Sequence, residues 1–247
     1  MTTLTIERLG HHGDGIARGP IFAARTLPGE VVEGVLDGTR LQAPRIITPS
    51  TDRVSPQCRH YKSCGGCSLQ HASDAFVESW QKDVVTRALD AVGLEAPIRF
   101  LSTSPPGSRR RATFTGRRTK KGAVVGFHGP ANDALLGVPD CQVLHPSIVT
   151  ALPGLEEITR LGASRKSALR LSVTDTETGL DVSIHDGKPL DTKLGAELIG
   201  ISNKAGFARI SWDDEVIVQR TAPVLQMGTA PIASRTEPAP NARPDLR

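Results

Sequence analysis

The chain has 247 residues and a formal net charge of +4 at pH 7, with 38% hydrophobic and 23% charged residues. This balance excludes a collagen-like chain, a coiled coil and a fully disordered protein, and the length allows one large domain or two to three small ones. With 24 Gly and 18 Pro against two Trp, one Tyr and six Phe, the composition calls for turns and short elements rather than long helices.

Met1-Thr-Thr-Leu-Thr-Ile-Glu has no basic start followed by an apolar stretch and a small-residue cleavage site. No apolar run approaches the roughly 18–20 residues that span a bilayer, so the sequence is read as cytoplasmic with no membrane partner. Residues 1–50 predict a small β-barrel of the oligonucleotide-binding type. Thr3-Leu-Thr-Ile, Pro20-Ile-Phe-Ala-Ala and Glu30-Val-Val-Glu-Gly-Val-Leu are its strands, separated by the glycine-dense turn after Leu9 and by Leu27-Pro-Gly-Glu. Residues 51–95 hold a cysteine loop and a helix. Apolar positions at 76, 77, 80, 84, 85, 88, 89 and 92 follow helical spacing, with Ser73 or Asp74 as the N-cap and Gly93 as the stop.

Residues 96–232 predict a central antiparallel β domain. Hairpins are expected around Thr119-Lys-Lys-Gly and Thr176-Glu-Thr-Gly, later strands at 208–212 and 216–218, and short helices at 146–152 and 191–199. Residues 233–247 hold too little apolar surface to order themselves and are expected to form a disordered tail. The fold class expected is mainly β with minor α.

Two features carry chemistry. Cys58, Cys64 and Cys67 crowd one glycine-rich loop, and Cys141 stands alone far downstream. Reduced cysteines in a cytosolic chain favour metal ligation over disulfides. A three-plus-one thiolate set suits a [4Fe–4S] cluster, whose glycine-rich loop can turn amide N–H groups toward sulfur. A zinc site on the loop, with Cys141 as a core thiol, is the alternative. The second feature is a window from Glu95 to Asp133 without a carboxylate between its ends, holding Arg99, Arg109, Arg110, Arg111, Arg117, Arg118, Lys120 and Lys121. On a strand, Arg109 and Arg111 fall on one face and Arg110 on the other. Such a ribbon is suited to tracking phosphates, which makes RNA the expected partner. His11, His12, His71 and His128 are read as surface or packing residues, and His145-Pro146 as shaping the chain around the cluster. No phosphate-binding P-loop, serine nucleophile elbow or His-Glu-x-x-His motif is present.

Taken together, Leu9-Gly-His-x-Gly-Asp-Gly-Ile-Ala, Leu27-Pro-Gly-Glu, Cys58-x5-Cys64-Gly-Gly-Cys67-Ser-Leu-Gln-His71, Arg109-Arg-Arg-Ala-Thr-Phe and Cys141 near His145-Pro146 resemble the RNA uracil-C5 methyltransferase family. The likeness is to the bacterial enzymes that make 5-methyluridine in 23S rRNA, and it runs from about residue 4 to about residue 232. It implies a TRAM-like RNA-binding barrel at the N-terminus. It assigns Cys58, Cys64, Cys67 and Cys141 to a [4Fe–4S] cluster and RNA contact to the central domain. It also implies S-adenosylmethionine as methyl donor in a Rossmann-like domain that follows in the family. No cysteine is left over as a nucleophile, and no complete Rossmann-like domain is expected. The chain is therefore read as the N-terminal part of such an enzyme, inactive alone and with a separate catalytic chain as an expected partner, and with the helix stripe Phe76, Trp80, Val84 and Ala88 short of cover. A stand-alone RNA-binding iron–sulfur protein is the competing reading, and an electron-transfer protein a third.

Overall fold

The computed structural model describes residues 1–130, 133–227 and 230–233. The expected tail, 233–247, lies outside them apart from Ala233. The chain divides into two compact units, Met1–Thr103 and Ser104–Arg247.

In the first unit, β1 (Thr2–Leu9), β2 (Gly15–Ala17), β3 (Ile21–Ala23), β4 (Val31–Asp37) and β5 (Arg40–Thr48) form a closed barrel in the order β1-β2-β3-β5-β4. Alternation along the strands sends Ile6, Ala17, Ala23, Val32 and Leu41 inward to one core. Closure requires glycine where strands crowd: a Cβ on Gly15 would lie 2.0 Å from Thr26 Oγ1. The helix α1 (Asp74–Asp90) starts where the Ser73 hydroxyl accepts the Phe76 amide. Phe76, Val77 and Trp80 pack beside Leu9, Leu27 and Ala72, yet no residue of α1 is fully buried. Val84 is half-buried and Ala88 exposed.

The second unit is built on a seven-stranded sheet. Its strands are β6 (Arg111–Arg118), β7 (Ala123–His128), β8 (Leu135–Gly137), β9 (Leu169–Thr176), β10 (Gly179–His185), β11 (Arg209–Trp212) and β12 (Glu215–Gln219), in the order β12-β11-β10-β9-β6-β7-β8. A small hairpin of β13 (Val224–Met227) and β14 (Ala230–Ala233) follows. The helices are α2 (Pro146–Gly162) and α3 (Thr192–Ala205).

The purely antiparallel central domain expected from the sequence is corrected here. β10 and β11 run parallel, with α3 as the connection between them. Parallel neighbours need a long crossover, and the segment from Asp191, which caps α3 through Leu194 N, to the left-handed Gly206 supplies it. The helix expected to stop before Pro153 also runs on to Gly162. An interior proline costs about 3 kcal/mol. Burial of Ile148, Ala151, Leu152, Leu155 and Ile158 along one face offsets it.

The sheet has two unlike faces. Ala112, Phe114, Leu169, Leu171, Val173, Val182, Ile184, Ile210 and Trp212 are buried on one, where α2 packs on β6, β7 and β9 and touches α3. Gly116 belongs to this side, since a Cβ there would lie 2.4 Å from Thr159 Oγ1 of α2. Alternation and register place Arg111, Thr113, Thr115 and Arg117 of β6 on the other face. They sit beside Arg170, Ser172 and Thr174 of β9 and Asp181, Ser183 and His185 of β10. Thr113 and Ser172 hydroxyls meet at 3.3 Å, and Arg209 grips Asp181 through two hydrogen bonds of 2.9 and 2.7 Å.

Candidate nucleic-acid interface and cysteine loop

The basic run lies along β6 and its turn, and its members have different tasks. Arg110 donates to Asp175 Oδ2 at 3.1 Å and to Glu177 Oε1 at 2.9 Å. Glu177, then Asp175, raise its already high pKa, so its charge is committed within the chain. Asp175 also accepts from the Ser147 hydroxyl at 2.7 Å and lies 3.3 Å from His145 Nδ1, which ties the start of α2 to β9. Arg109 is held by its backbone to Val143 and His145. Arg111, Arg117, Arg118, Lys120 and Lys121 are all exposed. Among the described residues, Arg111 and Arg117 form no ion pair. The turn from Thr119 to Gly122 closes with a 2.9 Å hydrogen bond and carries both lysines away from any carboxylate partner among the described residues.

An open cleft of about 540 Å3 lies at the start of β6. Arg109 to Thr113 form one wall, and Phe127, Thr174 and Leu225 complete it. Sequence reasoning found the arginines and missed the other three. Thr174 could have been placed by pairing β9 with β6, whereas nothing local marks Phe127 or Leu225.

In the first unit, Glu30 in the turn before β4 has a side chain with no solvent exposure. Burial pushes the Glu30 carboxyl up, but the Arg53 guanidinium and the Leu27 and Ser50 amides outweigh it and hold its pKa below the ordinary value. Tyr61, between the first two cysteines, reaches across the loop. Its hydroxyl contacts Ser68 O at 2.5 Å and His71 Nδ1 at 2.6 Å. A carbonyl can only accept, so Tyr61 donates to Ser68 and His71 donates Nδ1–H to Tyr61. Burial raises the Tyr61 pKa to about 12 and lowers that of His71 to about 4.

All four cysteines are half-buried thiols, and the Gly66 amide points at Cys64 Sγ at 3.4 Å. The chemistry of this donor set suits a thiolate-bound centre. The arrangement is not that of an assembled one: among the described residues, no three His, Cys, Asp or Glu side chains gather into a group able to hold a metal ion. The loop is ordered instead by Tyr61, His71 and the side-chain Oε1 of Gln70, which accepts from Cys58 N. His11 and His12 are exposed in the β1–β2 turn with ring centroids 3.8 Å apart, and His128 meets the Thr115 hydroxyl at 3.0 Å. Among the described residues, no helix is long and apolar enough to cross a membrane.

Comparison with known proteins bears on both features. The chain is similar to RNA methyltransferases along nearly all its length. It is 35% identical over 232 residues to an uncharacterized RNA methyltransferase of Rhizobium meliloti, covering 90% of this chain and 56% of that one. It is 37% identical over 246 residues to an uncharacterized RNA methyltransferase of Caulobacter vibrioides, covering 94% and 59%. With the 23S rRNA (uracil(1939)-C(5))-methyltransferase RlmD of Halomonas elongata it shares 35% identity over 175 residues, 66% of this chain and 36% of that one. No protein-family model matches. Among solved structures, a Pyrococcus abyssi tRNA (uracil-54, C5)-methyltransferase in complex with S-adenosyl-L-homocysteine superposes with a TM-score of 0.67 at 18% identity, covering 94% of this chain and 58% of that one. The chain thus spans a little over half the length of the uncharacterized relatives it matches, and the match with RlmD covers 36% of that protein.

The solved structure also corrects the fold class. The sequence suggested a mainly β assembly of RNA-binding modules with no complete Rossmann-like domain. The described residues do form three helices and a closed five-stranded barrel on a strand-rich background. Yet a solved methyltransferase superposes along 94% of this chain and 58% of its own length, so the chain shares the fold of that part of the enzyme. Strand content records local pairing and does not by itself set fold class. The similarity to RNA methyltransferases stands; the expected loss of a catalytic domain finds no support in these comparisons.

Proposed function

We propose that this protein is an RNA (uracil-C5) methyltransferase and that the 247 residues here supply RNA-engaging surface to it. One observation carries the reading: identity of 35–37% along at least 90% of this chain to proteins named RNA methyltransferases. The exposed cations Arg111, Arg117, Arg118, Lys120 and Lys121 support it, because they would neutralise phosphates and release counterions. Arg110 would brace that surface through Asp175 and Glu177. A 23S rRNA substrate is proposed from the names of the RlmD relatives. The closed barrel would act as a second, TRAM-like RNA contact. S-adenosylmethionine, when bound, would supply the methyl group for C5 of uracil, and no residue of this chain is assigned to it.

Cys58, Cys64, Cys67 and Cys141 are the ligand set proposed for a [4Fe–4S] cluster. The proposal rests on their number, their spacing and the Gly66 amide directed at sulfur. Deleting the gene and digesting 23S rRNA to nucleosides tests the function. One 5-methyluridine should disappear and return with the wild-type gene. An unchanged 5-methyluridine content in all RNA would refute it.

A further inference from the structure

The cleft at the start of β6 is lined by residues of β6, β7, β9 and β13. β6 pairs with β7 from Thr115 to Arg118, after which β7 leaves to pair with β8 through Gly126, Phe127 and His128. The departure is tight at Gly126, where a Cβ would lie 1.8 Å from Leu136 O. The edge of β6 from Arg111 to Phe114 is thereby left without a β7 partner among the described residues.

Three kinds of group line this space. Arg109 and Arg111 bring positive charge, Thr113 and Thr174 bring hydroxyls, and Phe127 and Leu225 bring apolar walls. Phe127 is half-buried and braced by Phe114, with ring centroids 5.0 Å apart. Arg110 also lines it, fixed by its two carboxylates. The cleft volume of about 540 Å3 is within the roughly 300–1,000 Å3 of small-ligand sites. A phosphate alone would leave the apolar walls unused, and an apolar ligand would leave the exposed Arg111 cation unmatched. A nucleotide matches all three groups.

We infer that the cleft holds one unstacked nucleotide of a single-stranded RNA segment. Its phosphate lies on Arg109 and Arg111, its ribose or base edge at Thr113 and Thr174, and its base against Phe127 and Leu225. This rests on the RNA-binding reading above and adds to it a site that grips a base rather than only the backbone. Base–aromatic contact tolerates any base, so the site selects unpaired RNA without selecting its sequence.

The test is a titration of the protein with a short fluorescent single-stranded RNA, and with an abasic ribose-phosphate chain of equal length. Phe127→Leu, which keeps apolar volume and removes the ring, should weaken the RNA about fivefold or more and leave the abasic chain unchanged. Arg111→Gln should weaken both. Leu225→Ala, in the same apolar lining, should repeat the pattern of Phe127→Leu and serves if that variant does not fold. Equal affinity of wild type and both wall variants for the RNA overturns the inference while leaving RNA binding intact. Equal weakening of RNA and abasic chain by the wall variants also overturns it. Failure of the wild-type protein to bind either polymer removes the inference together with the RNA-binding reading beneath it.

Discussion

Arg53 donates from both Nε and Nη2 to the carboxylate of Glu30, a side chain with no exposure to solvent. The same carboxylate accepts the Leu27 amide at 2.8 Å and the Ser50 amide at 3.2 Å. One buried charge therefore joins the β3–β4 turn, the end of β5 and the entrance to the cysteine loop. Arg53→Met would leave the carboxylate buried without its counter-charge. Such losses cost about 3–5 kcal/mol. The fall should appear in urea unfolding followed by the fluorescence of Trp80; a change below about 1 kcal/mol would show that the pair is incidental.

His71 makes folding of the same unit depend on pH. Burial, with the nearby Arg53 charge, lowers its pKa from 6.5 to about 4. Between those values the unfolded chain binds a proton that the folded chain does not, so stability rises with pH across the window. Falling from pH 6.5 to about 4 should cost on the order of 2–3 kcal/mol. Glu30 adds in the same direction at the acid end: its pKa is lowered, so its contribution is full above 4.5 and lost as pH falls through the folded value. Urea midpoints between pH 4 and 7 measure this. His71→Gln should remove most of the slope above pH 5, and an unaltered slope would assign it elsewhere.

The basic run should separate into two classes. Arg117→Gln removes an exposed cation and should weaken RNA binding, lowering the slope of log affinity against log salt by about 1. Arg110→Gln removes the partner of Asp175 and Glu177 and should lower melting temperature with little change in that slope. Equal salt slopes for the two variants would mean that both, or neither, touch phosphate.

Trp212 is held between two glycines. A Cβ on Gly162 would lie 2.2 Å from its ring and one on Gly187 2.1 Å. Gly162→Ala and Gly187→Ala should each destabilise the second unit by about 1–3 kcal/mol, the cost of overpacking a filled core. Gly195→Ala, inside α3 with nothing within 4 Å of its added carbon, should stabilise by about 0.5–1 kcal/mol. Thermal unfolding of the three variants decides it, and a destabilised Gly195→Ala would contradict the packing described.

Anaerobic purification tests the cysteine set. About four irons per chain with brown absorbance supports the [4Fe–4S] assignment. One colourless zinc supports the alternative. Cys141→Ser should then sharply reduce bound iron if Cys141 is the fourth ligand; full iron content in that variant removes it from the set.

Much of the local structure was written in adjacent residues. Ser73 and the apolar spacing from Phe76 mark α1, because caps and one-sided burial act within a few turns. The alternation from Arg111 to Arg118 and the turn at Thr119–Gly122 mark the basic hairpin. The helix expected over 146–152 runs on to Gly162, because the burial that carries it past Pro153 comes from residues distant in sequence.

By itself the sequence determined where charge and thiols are concentrated, where the barrel strands and α1 lie, and which enzymes the chain resembles, since these depend on near neighbours and on residue type. Only the tertiary structure decided that β10 and β11 run parallel, that Arg110 is bound to Asp175 while Arg111 is not, and that Thr174, Phe127 and Leu225 close a cleft with the arginines. Those outcomes depend on contacts between residues far apart in the chain. Their free energy exists only once the sheet has brought them together.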